Sequence, residues 1–282
     1  MMIVQYGNFF YFLPILIIIG ILIGLYFLLR NKSDKTKRIV CFVLIMVNLI
    51  QHLLKHIVWP HMWGTGFGIS NTACNLCALL IIISPFVFLS KNSLLKDFVV
   101  YFGCNGGIIT IFIPYWFIGD TLLSTEALRF YFCHGMLLIT SILPPLLKIH
   151  KLNFNNFWKI GFVFAISLMF VIFNNMLYYI AIGDTANLYQ TLYNNNPSWS
   201  FHADGNFSVV YKVVEIFSPK IFFNPETNLK VPILWYFVPI YLLTTFLVIV
   251  FCIFFDKEGT KDFIGKVKNI YNSIKNKIKR AD

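Results

Sequence analysis

The chain has 282 residues, of which 58% are hydrophobic, 18% aromatic and only 12% charged, with a mean hydropathy of +0.71. That balance excludes an ordinary soluble domain. Its net charge of +11 is spread between long apolar runs rather than along an aromatic-laced basic stripe, which excludes nucleic acid as a partner and makes the basic residues topology signals.

In chain order, residues 11–29 form a first predicted span, close to the roughly 20 residues needed to cross a ~30 Å hydrocarbon core. Arg30, Lys32, Lys35, Lys37 and Arg38 follow it, and no small-residue cleavage site does, so it reads as a retained helix rather than a signal peptide. A second span, 39–59, carries His52, Lys55 and His56 in its last turns. The third, 71–89, changes within one predicted helix from a polar, thiol-bearing half to an almost wholly apolar one. The fourth, 98–117, contains Gly103, Asn105, Gly106 and Gly107, small residues that permit close helix contact. The fifth, 130–149, has His134 near its start, and the sixth, 158–181, is interrupted by Asn174 and Asn175. A polar segment, 182–231, reads as a loop, 232–255 as a seventh span, and 256–282 as a basic tail.

The expected fold is therefore all-α, a polytopic membrane helix bundle of about seven transmembrane helices over residues 1–255. The basic residues fall mainly after spans one, three, five and seven, while the other side holds only Arg129, Lys212, Lys220 and Lys230. Short basic loops stay cytoplasmic, so the amino terminus is expected outside, the carboxy terminus inside and the 182–231 loop extracytoplasmic. In the tail, Phe263, Val267, Ile270, Ile274 and Ile278 recur at three- and four-residue steps among lysines, the pattern of a helix lying on a membrane and drawn to anionic lipid headgroups.

This orientation gathers polar side chains into one layer. At 1.5 Å of rise per residue, Cys77 lies about seven residues, or ~10 Å, below the outer boundary of its span, and His134 lies at similar depth. His52, His56, Asn174 and Asn175 fall in the outer thirds of their own spans, and Asn71, Cys74 and Asn75 share the Cys77 end. Buried polar groups in a membrane are costly unless they pair or perform a function. Cys41, Cys104, Cys133 and Cys252 read instead as small core hydrophobes, and no disulfide framework is expected.

A thiol becomes a nucleophile when an imidazole takes its proton and a polar group orients that imidazole. Cys77, His134 and a partner such as Asn174 or His56 meet those requirements. Asn75 or Asn174 is a candidate hydrogen-bond donor to an oxyanion. A redox pair of Cys74 with Cys77 lacks a thioredoxin-like context. Zinc bound by these thiols and histidines would lack a carboxylate, since every acidic residue reads as lying in a loop or tail, so no metal or cofactor is expected. The same lack of a midplane carboxylate places a cation-coupled transporter, or a lipid- or solute-binding bundle, second to an enzyme.

The segments TACNLCALLIIISPFVFL, YFGCNGGIITIFIPYW and RFYFCHGMLLI resemble the YwaF family of bacterial integral membrane proteins, related to the eukaryotic transmembrane protein 164 family, over residues 40–175. In that family a span opens with a pattern like LPLHLC and a later span carries a His after aromatic residues, matching Cys77 and His134 here. Asn75 stands where the pattern has its His, and Ala73 where it has its Pro. The eukaryotic relatives are described as Cys- and His-dependent acyltransferases of ether phospholipids. The resemblance therefore implies a multi-pass protein of the cell membrane, with phospholipid substrates and a Cys77–His134 acyl-transfer or lipid-hydrolysis site.

Overall fold

A computed structural model describes residues 2–58, 68–114, 117–195 and 255–278, with the single positions 198, 246, 250 and 253. Eight α-helices are described: α1 Phe9–Leu29, α2 Asp34–Val58, α3 Leu76–Leu89, α4 Ser93–Phe112, α5 Thr125–Leu146, α6 Phe157–Ala181, α7 Leu188–Asn195 and α8 Lys257–Ile278. Short 3₁₀ turns at Ile69–Asn71 and Phe154–Asn156 precede α3 and α6. Among the described residues, α1, α2, α4, α5 and α6 are long and apolar enough to cross a membrane, and α3 is a shorter apolar helix. Most of the expected seventh span, 232–255, and most of the 182–231 loop lie outside the described residues; positions 246, 250, 253 and 255 of that span are helical. The described start of that loop is not wholly irregular, because it contains α7.

Glycines decide how closely the central helices approach. A methyl group added at Gly103 of α4 would collide with the side chain of Ser141 on α5, and one at Gly107 would stand 2.8 Å from Leu138 Cβ and 3.1 Å from the His134 carbonyl. On α5, Gly135 admits Ile18 of α1 in the same way. Backbones this close gain dispersion contacts that larger residues would block. Around this seam, α2 and α3 pack on one flank, while Phe102 of α4 stacks on Phe164 of α6 at 4.3 Å on another. The outward faces of α1, α2 and α6 keep large apolar side chains exposed, among them Leu28, Ile57 and Ile166, as lipid-facing surfaces do.

The helix starts differ from expectation in ways that matter for the site. The stretch 71–89 is not one helix: Asn71 ends a 3₁₀ turn, Cys74 lies in the following link, and Asn75 caps α3 by accepting a hydrogen bond from Ala78 N at 2.9 Å. Asx side chains favour this position because they satisfy an amide that has no intrahelical carbonyl. Helix α4 begins at Ser93, capped by Asn92, five residues before the expected start, which brings Lys96 and Asp97 into the helix. The expectation that every acidic residue lies in a loop or tail is therefore corrected. Asp97 is fully buried, and three donors make that tolerable: His150 Nε2 at 2.7 Å, Asn156 Nδ2 at 2.7 Å and Asn153 N at 3.3 Å.

At the end of the bundle where α1 and α5 begin, the amino-terminal segment pairs with the α4–α5 loop. Val4 N donates to Asp120 O at 2.8 Å, and Gly119 N and Leu122 N return bonds to Val4 O and Met2 O. By Phe255 the chain has reached the opposite end. There Phe263 of α8 meets Phe157 at 5.4 Å, and Lys151 pairs with Glu258 at 3.5 Å. The tail is thus helical as expected, and its first turns rest on the loop between α5 and α6.

Candidate functional site

One face of α2 carries Cys41, Ile45, Asn48, His52 and Lys55, all buried, so the helix stripe that packs inward turns from apolar to polar toward its end. Steps of three and four residues keep those positions on one side. That polar end grips the turn before α3. Lys55 donates from Nζ to Ser70 O, and Asn71 Nδ2 donates to Leu53 O at 3.0 Å and to His56 Nδ1 at 3.1 Å. Because Asn71 Oδ1 accepts from Gly68 N, its amide nitrogen is the atom facing His56, so His56 Nδ1 accepts and its ring proton belongs on Nε2. His52 is 3% exposed, with the carbonyls of Asn71 and Thr72 beside its ring.

Helix α6 holds the same link from the other side. Asn174 Nδ2 donates to Thr72 Oγ1 at 2.8 Å, while Asn175 Nδ2 donates to Cys74 O at 3.0 Å and Val171 O at 2.7 Å. Both amide hydrogens of Asn175 are therefore committed to backbone. His52, His56, Asn174 and Asn175 all belong to the scaffold that fixes residues 69–75, and the result is a defined position for Cys77, the second residue of α3. Of the first-turn amides there, Leu76 N donates to Ser198 Oγ and Ala78 N to Asn75 Oδ1. The Cys77 amide is the third such donor that a helix start presents. Asn75 spends its Oδ1 on the cap, which leaves Nδ2 as the amide donor beside it.

Cys77 and His134 reach the same turn of α4 from different sides. A methyl group at Gly106 would stand 3.7 Å from Cys77 Sγ, and one at the adjacent Gly107 would stand 3.1 Å from His134 O. No hydrogen bond joins the thiol to the imidazole. Instead His134 Nδ1 lies 2.9 Å from Phe130 O, one turn back on its own helix, with the ring tilted over the Phe130 ring at 4.6 Å. A carbonyl can only accept, so this contact puts the proton on Nδ1 and leaves Nε2 as a lone-pair acceptor. That is the tautomer a general base requires.

Two thiols share the electrostatic surroundings of Cys77, namely Cys74 and Cys133. Cys133 is buried, within hydrogen-bond reach of Gln51 and within charge range of Arg129 and Lys55. Cys74 has the same two cations as neighbours. Gln51, Arg129 and Cys133 are thus members of the layer that sequence reasoning passed over. Arg129 and Cys133 are four apart on α5, and Gln51 and Lys55 four apart on α2, which was the available signal. The five described cysteines are free, and among the described residues no group of three or more His, Cys, Asp or Glu side chains is arranged to hold a metal ion.

Comparison with known proteins gives this geometry a family. The chain matches the TMEM164 family over residues 5–256. It belongs to that family. The match takes in α1 to α7 and both Cys77 and His134, and so extends well beyond the 40–175 region of sequence resemblance. No curated protein and no solved structure matches. A TMEM164-family chain with this many spanning helices is a multi-pass membrane protein.

Proposed function

We propose that this TMEM164-family chain transfers acyl groups between phospholipids of the cell membrane, with Cys77 as nucleophile and His134 as general base. The observation that supports the reading is that Cys77 Sγ and the backbone of His134 lie against the adjacent Gly106 and Gly107 of α4, with His134 Nδ1 tied to Phe130 O so that Nε2 is the basic atom. In the first half-reaction His134 Nε2 takes the thiol proton and Sγ attacks an ester carbonyl of a lipid. The C–O bond breaks, the departing alkoxide takes the proton back from His134, and an acyl thioester remains on Cys77. In the second, His134 deprotonates the hydroxyl of an acceptor lipid, which attacks the thioester; the C–S bond breaks and the departing Cys77 thiolate takes the proton from His134, and water in place of the lipid gives hydrolysis. The Cys77 amide and Asn75 Nδ2 are the donors placed to stabilise the oxyanion.

A lipid-like probe, an alkyl chain carrying a thiol-reactive chloroacetamide, on the purified protein tests the pairing. Covalent mass is expected on Cys77 of the wild-type chain and is expected to be lost in His134→Ala. Labelling that is indifferent to His134 would reject the base assignment and favour the second reading, a transporter or a lipid- or solute-binding bundle using the same polar layer for recognition.

The charge pattern supports an outside amino terminus and a cytoplasmic α8. In α8, Val267, Ile270 and Ile274 are 48%, 61% and 53% exposed, an apolar stripe on a lysine-rich helix, as a membrane-surface helix presents. Vesicles containing phosphatidylserine are expected to make a peptide of residues 256–282 helical in circular dichroism, and high salt to reverse it, because screening shortens the attraction. An unchanged spectrum would leave the tail a topological signal alone.

A further inference from the structure

At the end of the bundle opposite Cys77, the first turns of α2 and α4 and the last turns of α3 and α5 border a narrow crevice with a cavity volume of about 30 Å³, set within about 450 Å³ of space that includes its open mouth. Its depth is apolar: Ile45, Val87, Val100 and Pro144 are buried, and Phe88 closes one wall by stacking on Phe42 at 6.2 Å. Of the three hydroxyls in the lining, Ser84 and Thr140 donate back to carbonyls of their own helices, and Ser141 Oγ is buried without a hydrogen-bond partner. The mouth is different. Arg38, Lys96 and His150 all border it, each from a different segment, with no acidic side chain in the lining.

The three basic groups are held, not merely nearby. Arg38 is anchored through Nη2 to Ile149 O at 3.1 Å, which leaves the rest of its fork for a second acceptor. His150 donates from Nε2 to the buried Asp97, so the ring is fixed in orientation. Lys96 leaves the first turn of α4 half-buried between them, close enough to Arg38 for their charges to repel. Two like charges brought together over an apolar slot match a ligand with an acid group at one end and a hydrocarbon chain at the other.

We infer that this crevice binds an anionic glycerophospholipid from the leaflet on the basic-loop side, with its phosphate between Arg38 and Lys96 and the first carbons of one acyl chain in the slot between α2, α3, α4 and α5. Charge complementarity selects the head, and the narrow apolar walls select the chain. The site is remote from Cys77, so it holds or senses lipid rather than reacting with it, and it stands whether or not acyl transfer occurs at the other end.

Thermal unfolding of the purified full-length chain in detergent, titrated with oleoyl lysophosphatidic acid, oleoyl lysophosphatidylcholine or inorganic phosphate, tests this. A ligand that binds only the folded state raises the unfolding temperature. The expected result is stabilisation by lysophosphatidic acid at concentrations at least about tenfold below those needed for lysophosphatidylcholine, and none from phosphate at the same concentrations. Arg38→Glu, at an exposed position, is expected to abolish the preference for the acid head, and Val99→Trp, which fills the crevice, to weaken both lysolipids. Equal effects of the two lysolipids would overturn the headgroup site. Stabilisation by phosphate alone would reduce it to a free-anion site without a lipid. A preference that survives in Arg38→Glu would place the binding elsewhere.

Discussion

Acyl transfer between phospholipids is expected to fall by at least ~10³-fold in Cys77→Ala, to a level set by background chemistry, while Cys74→Ala and Cys133→Ala stay within about tenfold of wild type. The three thiols share one layer, so a general loss of packing there would affect all three variants alike. Of the three, only Cys77 sits in the first turn of α3 with Gly106 against its sulfur. Cys77→Ser should be nearly as inactive as Cys77→Ala, because a hydroxyl needs much stronger activation than a thiol at neutral pH. His134→Ala should lose ~10²- to 10⁴-fold, the span of general base catalysis, and His134→Gln no less, since an amide reproduces the shape but not the basic nitrogen. Transfer of a radiolabelled or fluorescent acyl chain in reconstituted vesicles measures all of these. A Cys77→Ala protein that transfers at the wild-type rate would end the nucleophile assignment.

Hydropathy made the membrane bundle and most of its helices legible without coordinates, because burying backbone polar groups in hydrocarbon forces helices and an apolar run advertises each one. The level shared by Cys77 and His134 was legible for the same reason, since depth follows from residue count along a helix. Boundaries were less so. Asn75 looks like a member of the polar layer in sequence, and it is in fact the cap that ends the link and starts α3. Asn92 does the same for α4, and missing that cap placed Asp97 in a loop. Cys133 is a core thiol as read, but its polar neighbours, Gln51 and Lys55 of α2, lie about eighty residues away in the chain and only packing brings them to it. Conversely, Asn174 looked like a possible contact for a reacting group, whereas its amide, like that of Asn175, holds the link before α3, at Thr72 and Cys74 respectively. Roles of that kind depend on where hydrogen bonds end, which residue type alone does not specify.

Asp97→Ala should destabilise the fold by roughly 3 kcal/mol or more without touching the Cys77 site directly. The carboxylate is 0% exposed and accepts from three groups that converge from the turn after α5: His150 Nε2, Asn153 N and Asn156 Nδ2. Removing it strands three donors at once, each worth about 1–3 kcal/mol when left unsatisfied, and water entering the vacated space recovers part of that. Asp97→Asn should cost less, because its carbonyl oxygen still accepts from one or two of the three, although its new NH₂ must face a donor. The effect should spread along the chain. Residues 150–156 carry the chain from α5 into α6, and Phe157, the first residue of α6, is where Phe263 of α8 docks. Loosening that corner is expected to free the tail helix as well, so limited proteolysis near Phe263 should accelerate in Asp97→Ala along with a lowered unfolding temperature. If Asp97→Ala unfolds at the wild-type temperature, the buried network is not what ties α4 to the turn before α6, and the helices are held there by apolar packing alone.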